Sequence, residues 1–176
     1  MDERILFAGP SDDDKDAAIT KLSESTLLHT KVSANNGKNN VYADIDYGYH
    51  TLNETRIHMY TLPDDLAFRY IWPTMGRQCQ GLVLLLDTAR PSPFKDMLIY
   101  LEAFQHFFVH DAAVIGITRR QDNPVRLQAD YLSELNSHGI VCPVFDVDIR
   151  RAEDFRVMVH ALLVTLHGSD IANTSS

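Results

Sequence analysis

Cysteine is scarce in this sequence, with only Cys79 and Cys142. They lie far apart and no CxxC is present, which excludes a zinc ribbon and a disulfide framework and predicts two free thiols. Positive charge is also short: 16 Lys and Arg stand against 24 Asp and Glu, for a formal net charge of −8. Nothing clusters the basic residues, so nucleic acid and anionic membranes are poor partners. No apolar run approaches the ~20 residues of a membrane span, and the first residues lack the charged and apolar regions of a signal peptide. A chain of this kind is expected to be cytoplasmic, with no membrane insertion.

What is present is a chain of 176 residues, 45% hydrophobic and 23% charged, a size that suits one domain. It opens on an apolar run, Ile5-Leu6-Phe7-Ala8, that ends in Gly9. The polar stretch Pro10-Ser11-Asp12-Asp13-Asp14 follows, and Lys15 leads into a helical pattern expected to run to Leu28. Strand, glycine, polar loop, lysine and helix is the layout of a phosphate-binding loop, but the G-x-x-x-x-G-K-[ST] pattern needs glycine at 14 and a hydroxyl at 16. Both positions are aspartate.

Further along, the polar segment 33–40 reads as a loop, 41–50 and 53–62 as antiparallel strands, and 63–76 as an aromatic-rich helical stretch broken by Pro73. The uncharged run GLVLLLD at 81–87 predicts a central parallel strand covered on both faces. A long helix is expected over 93–110, with Phe94, Met97, Leu98, Leu101, Phe104 and Phe108 inward. Strands at 112–118 and 140–147 and helices at 124–137 and 151–166 complete the alternation. The predicted fold is a doubly wound α/β sheet of six mostly parallel strands with one antiparallel edge strand. The domain is expected over 1–168, with a flexible tail over 169–176.

The chain resembles the Ras-like small GTPases, in particular the bacterial branch with the Mgl-type polarity GTPases. The resemblance rests on the order of ILFAGP with Lys15, Asp46-Tyr47-Gly48, Pro63 followed by Phe68 and Trp72, GLVLLLD, VIGIT at 114–118 and CPVFDVD at 142–148. It implies the Ras-like P-loop fold, and it implies that Gly9, Lys15, Thr118 and Asp122 hold the nucleotide if one binds. The other functional positions depart from the family. Val41-Tyr42-Ala43 stands where the first switch has threonine, Thr61-Leu62-Pro63-Asp64-Asp65 lacks the glycine and glutamine of the second, and Thr118-Arg119-Arg120-Gln121 replaces [NT]-K-x-D.

Asp12, Asp13, Asp14 and Asp16 surround the place of a triphosphate. Like charges ~4–6 Å apart at an effective dielectric near 20 repel by about 3–4 kcal/mol each, more than one lysine offsets. The expectation is therefore a degenerate GTPase with no cofactor and no catalytic or metal residues, its aspartates capping a helix and its Lys15 an ion-pair partner. Such a chain would act as a protein-binding regulatory or scaffold module. The alternative is a divergent GTP- or ATP-binding protein, using GTP with magnesium and regulating polarity or pilus-type motility as the resemblance implies. A third class places an unrelated ligand site where Asp12, Asp64, Asp87 and Thr118 converge at the strand ends. His106 and His110 have metal-compatible spacing but no third ligand. Phe68, Tyr70, Trp72, Ile99, Tyr100 and Phe107 are the expected partner surface; the resemblance implies a roadblock-type protein on it.

Overall fold

The computed structural model describes residues 2–118 and 128–174, with side chains described as far as residue 168. The first strand, β1 (Asp2–Ala8), runs into α1 (Asp12–Leu22), and β2 (Leu28–Asn35) and β3 (Asn40–Leu52) follow as a hairpin. Then come β4 (Thr55–Thr61), a 3-10 helix (Leu66–Ile71), α2 (Trp72–Gln78) and β5 (Gly81–Asp87). The second half holds α3 (Pro93–Ala103), α4 (Gln105–Val109), β6 (Ala113–Thr118), α5 (Gln128–Ser137), β7 (Val144–Val147) and α6 (Ala152–Thr174).

Seven strands form one sheet in the order β2-β3-β4-β1-β5-β6-β7. β1 pairs in parallel with β4 and β5, and β6 in parallel with β5 and β7, while β2–β3 and β3–β4 are antiparallel. Alternation along the central strands divides the core into two layers. Leu82, Leu84 and Leu86 of β5, with Leu6 and Ala8, face Trp72, Met97, Tyr100, Phe104 and Phe107. Val83 and Leu85, with Ile5 and Phe7, face Ala18 and Ile19 of α1 and Phe155, Met158 and Leu162 of α6. β5 is buried at every position, as its unbroken apolar run requires.

Several boundaries differ from the sequence expectation. An extra edge strand, β2, covers 28–35 and takes the first three residues of the segment read as a loop at 33–40; the rest is the turn to β3, in which the Asn36 side chain accepts from Lys38 and Asn39. β2 packs little against the body, so it has no need of apolar alternation. Helix α1 begins at Asp12, where Ser11 caps it by accepting from Asp14 N, and it ends six residues sooner than read. Pro73 starts α2 instead of breaking a helix, because its missing N–H falls in the first turn. The long helix divides at Phe104, whose ring stacks 5.6 Å from Trp72. The last strand starts only after Pro143, which has no N–H to give the ladder. Helix α6 continues past Gly168 to Thr174, where a flexible tail was expected.

The aromatic set expected on the surface needs a larger correction. Phe68, Trp72, Tyr100 and Phe107 are 1–2% exposed and belong to the core. Ile99 is partly buried against them. Trp72 lies 4.9 Å from the Tyr100 ring and Phe104 6.1 Å from that of Phe107, so these residues stack on one another beneath the helices. Only Tyr70, 60% exposed, keeps the predicted position.

Candidate functional site

Gly9, Lys15 and Thr118 converge at the carboxyl ends of β1, β5 and β6, where a doubly wound sheet places its ligands. Asp122 lies outside the described residues. Gly9 has φ +147°, and a Cβ there would stand 2.0 Å from the Leu85 carbonyl oxygen, so only glycine passes this close to the central strand.

The loop after Gly9 is short. Because α1 starts at Asp12, only Gly9, Pro10 and Ser11 link it to β1. Two amides at the α1 N-terminus, those of Asp12 and Asp14, are already engaged by side chains. Asp12 N donates to Asp64 Oδ2 at 3.1 Å, Asp64 N returns a bond to Asp12 Oδ1 at 2.9 Å, and Asp14 N donates to Ser11 Oγ at 3.4 Å. A carboxylate from the β4 exit thus sits on the helix N-terminus, where the dipole and free amides favour negative charge. Burial and the neighbouring Asp12 carboxylate hold Asp64 above the ordinary aspartate range.

Lys15 is 1% exposed. An ammonium has three N–H donors. Here Nζ meets three acceptors: Gly9 O at 2.8 Å, Leu62 O at 2.5 Å and Asp12 Oδ1 at 3.0 Å. Burial lowers its pKa, opposed mainly by Asp12. The local ion pair expected from sequence is present, and the two carbonyls beyond it tie α1 to β1 and β4.

Asp14, where a phosphate loop carries glycine, is buried, and Thr118 Oγ1 donates to its Oδ2 at 2.5 Å. Thr118 therefore points under the helix and away from the rim. Asp12, Asp64 and Asp87 do line a shallow depression of about 230 Å³ with Pro10, Ser11, Asp13 and Arg90. Arg90 is bound to Asp96 at 2.6 Å and to the Pro10 carbonyl at 3.3 Å. The depression carries four carboxylates beside one guanidinium, a poor match for a polyphosphate.

Asp16 stands where the hydroxyl that coordinates magnesium was expected. Desolvation first, then the Asp46 and Asp12 carboxylates, push it up to about 6, against the pull of Lys15. This value lies above the ordinary 3.8, so between these limits the folded chain keeps a proton that the unfolded chain has released. The stability tied to Asp16 therefore falls as pH rises through that window and stays low above it. Asp16→Asn should raise the melting temperature more at pH 7 than at pH 4, by a modest amount because the side chain reaches solvent. An equal shift at both values would contradict this assignment.

The free thiols are pushed up to about 12 by burial, Cys79 and Cys142 alike, which makes both poor nucleophiles. Apart from Tyr70, the exposed large apolar residues lie elsewhere than predicted. Tyr42, Leu66 and Tyr70 gather where the 3-10 helix meets the β2–β3 hairpin, Tyr70 donating to the Ser33 carbonyl at 2.5 Å and Ser33 pairing with Tyr42. At the opposite end of the sheet, Val109 and Val141 border a groove of about 690 Å³. The sequence reading also misses a grouping of His29, Asp44 and Asp46 on the edge hairpin. With the helix read as far as Leu28 and 33–40 taken as a loop, β2 over 28–35 and its register with β3 had no place.

Comparison with known proteins finds no matching family model and no matching curated protein.

Proposed function

We infer that the chain is a Ras-like domain with a degenerate nucleotide site, acting as a protein-binding regulatory or scaffold module with little or no nucleotide binding or hydrolysis. One observation carries this reading: the Lys15 ammonium has all three donors engaged within the chain. To reach a phosphate it would have to leave two backbone carbonyls that have no other partner among the described residues, at about 1–3 kcal/mol for each. The Asp64 carboxylate would have to leave the helix N-terminus as well. The strand order, with its antiparallel edge pair, is compatible with a P-loop-like fold.

A module of this kind needs a docking face and no moving switch. The rim formed by Tyr42, Leu66 and Tyr70 fits that need, since exposed tyrosines next to a sheet edge supply contact area at low entropic cost. The partner suggested by the resemblance is a roadblock-type protein.

The test is a titration of a purified roadblock-type protein onto the full chain. Tyr42→Ala with Tyr70→Ala is expected to weaken binding by about tenfold or more, and saturating GTP with magnesium to leave the affinity unchanged. Affinity that moves severalfold on adding GTP would instead favour the divergent nucleotide switch. Equal binding by the double variant would remove this rim from the interface.

A further inference from the structure

We propose that His29, Asp44 and Asp46 form a binding site for a divalent transition-metal ion of the Zn²⁺ or Co²⁺ type on the β2–β3 hairpin. The inference is independent of the partner-binding reading, because it rests on other residues and on no nucleotide.

The donor geometry comes first. One ligand atom from each residue lies within 4.8 Å of the other two. An ion with ligands at about 2.0–2.2 Å holds its donors at mutual distances of roughly 3–4 Å, so small side-chain rotations bring all three to one centre. His29 Nδ1 and Asp46 Oδ1 now stand 2.5 Å apart and share a proton. An ion entering between them takes the place of that proton, which leaves to solvent, and both atoms become ligands.

The backbone holds the donors in place. His29 and Asp46 are directly opposed in the antiparallel register, and Asp44, two residues along β3, projects from the same face. β3 is fixed in turn by its pairing with β4, and Asp46 N donates to Thr61 Oγ1 at 3.1 Å. Asp46 is 9% exposed, whereas His29 and Asp44 reach solvent. An ion therefore has an entry path on one side and a buried carboxylate on the other. Ligands on paired strands keep their spacing better than ligands on loops.

The surroundings favour a cation. The Asp16 carboxylate of α1 is close enough to act on both Asp46 and His29. Lys31, across the register from Asp44, is exposed on the edge strand and free to turn outward. One imidazole with two carboxylates suits a borderline ion better than calcium, which takes six to eight oxygens. Three protein ligands leave the remaining position to water. The bound ion would clamp the edge strand to the body of the sheet.

The experiment uses the untagged full chain after chelator treatment, titrated with Zn²⁺ by calorimetry and with Co²⁺ by visible absorption. About one ion per chain is expected, with the intense Co²⁺ bands of a low-coordinate site. His29→Ala and Asp44→Asn, both at exposed positions, should each weaken Zn²⁺ binding by about tenfold or more while leaving circular dichroism unchanged. His110→Ala, at an exposed histidine on another element, should bind as the parent does. No saturable binding by the parent, or equal binding by His29→Ala, would overturn the proposal.

Discussion

Lys15→Met should lower the stability of the fold by about 2–4 kcal/mol and its melting temperature by roughly 5–15 °C. The substitution keeps the length and apolar stem of the side chain and removes only the ammonium. Gly9 O and Leu62 O then lose their buried donor, and the Asp12 carboxylate loses its partner beside Asp64. Each carbonyl left unpaired costs about 1–3 kcal/mol, offset in part by the desolvation that a methionine avoids. A lysine held ready for a phosphate would behave in the opposite way. With no ligand present it would be solvated, and its removal would change stability by less than about 0.5 kcal/mol. Urea unfolding of the two proteins at pH 7 separates the cases, and a midpoint shift near zero would contradict the role assigned to Lys15.

Trp72→Ala is expected to cost about 3–5 kcal/mol, the range for emptying a large aromatic site in a core. Trp72 is 2% exposed and stacks on Tyr100 and Phe104, so the cavity would open between α2 and α3, where neither helix can close it without breaking other contacts. Its indole N–H has no partner among the described residues. Trp72→Phe should therefore cost clearly less than the alanine change, since it keeps most of the ring contact and removes an orphan donor. Denaturant midpoints for the two variants check both statements. Equal stability of Trp72→Ala and the parent would return Trp72 to the surface and with it the partner face expected from sequence.

The error over Trp72 has a physical source. Read as one helix over 93–110, the aromatic residues fall into an inward stripe and a remainder, and Tyr100 and Phe107 land in the remainder. Tyr100, Phe104 and Phe107 stand at i, i+4 and i+7, one face of a helix, so the buried face is wider than the stripe read from sequence and takes in both residues. How wide a buried face is depends on what packs over it, here Trp72 on Tyr100 and Phe104, and periodicity alone does not reveal that. GLVLLLD at 81–87, by contrast, could be read correctly to the residue, since a strand buried on both faces leaves an uninterrupted apolar run. β2 left no comparable trace. It is an edge strand of mixed polar residues, and its partner β3 carries the pairing information.

The candidate site was legible in outline through Gly9, Lys15 and the aspartates around them. The way it closes was not. The helix is expected from Lys15 and starts at Asp12, and the bond from Asp12 N to Asp64 joins residues 52 apart in sequence. The Asp14–Thr118 bond spans 104 residues. Contacts of that range follow from the sheet order, and local pattern carries no sign of them.

The measurement that bears most directly on the closed phosphate site is a calorimetric titration of the full chain, first checked for co-purified nucleotide, with GTP and with ATP in the presence and absence of magnesium. With Lys15 held by three internal acceptors and Asp64 seated on the α1 N-terminus, the expected result is no saturable heat and no nucleotide released on denaturation. Saturable binding in the micromolar range or tighter would mean that the loop opens and Lys15 leaves its carbonyls, and the account of a closed site would fail.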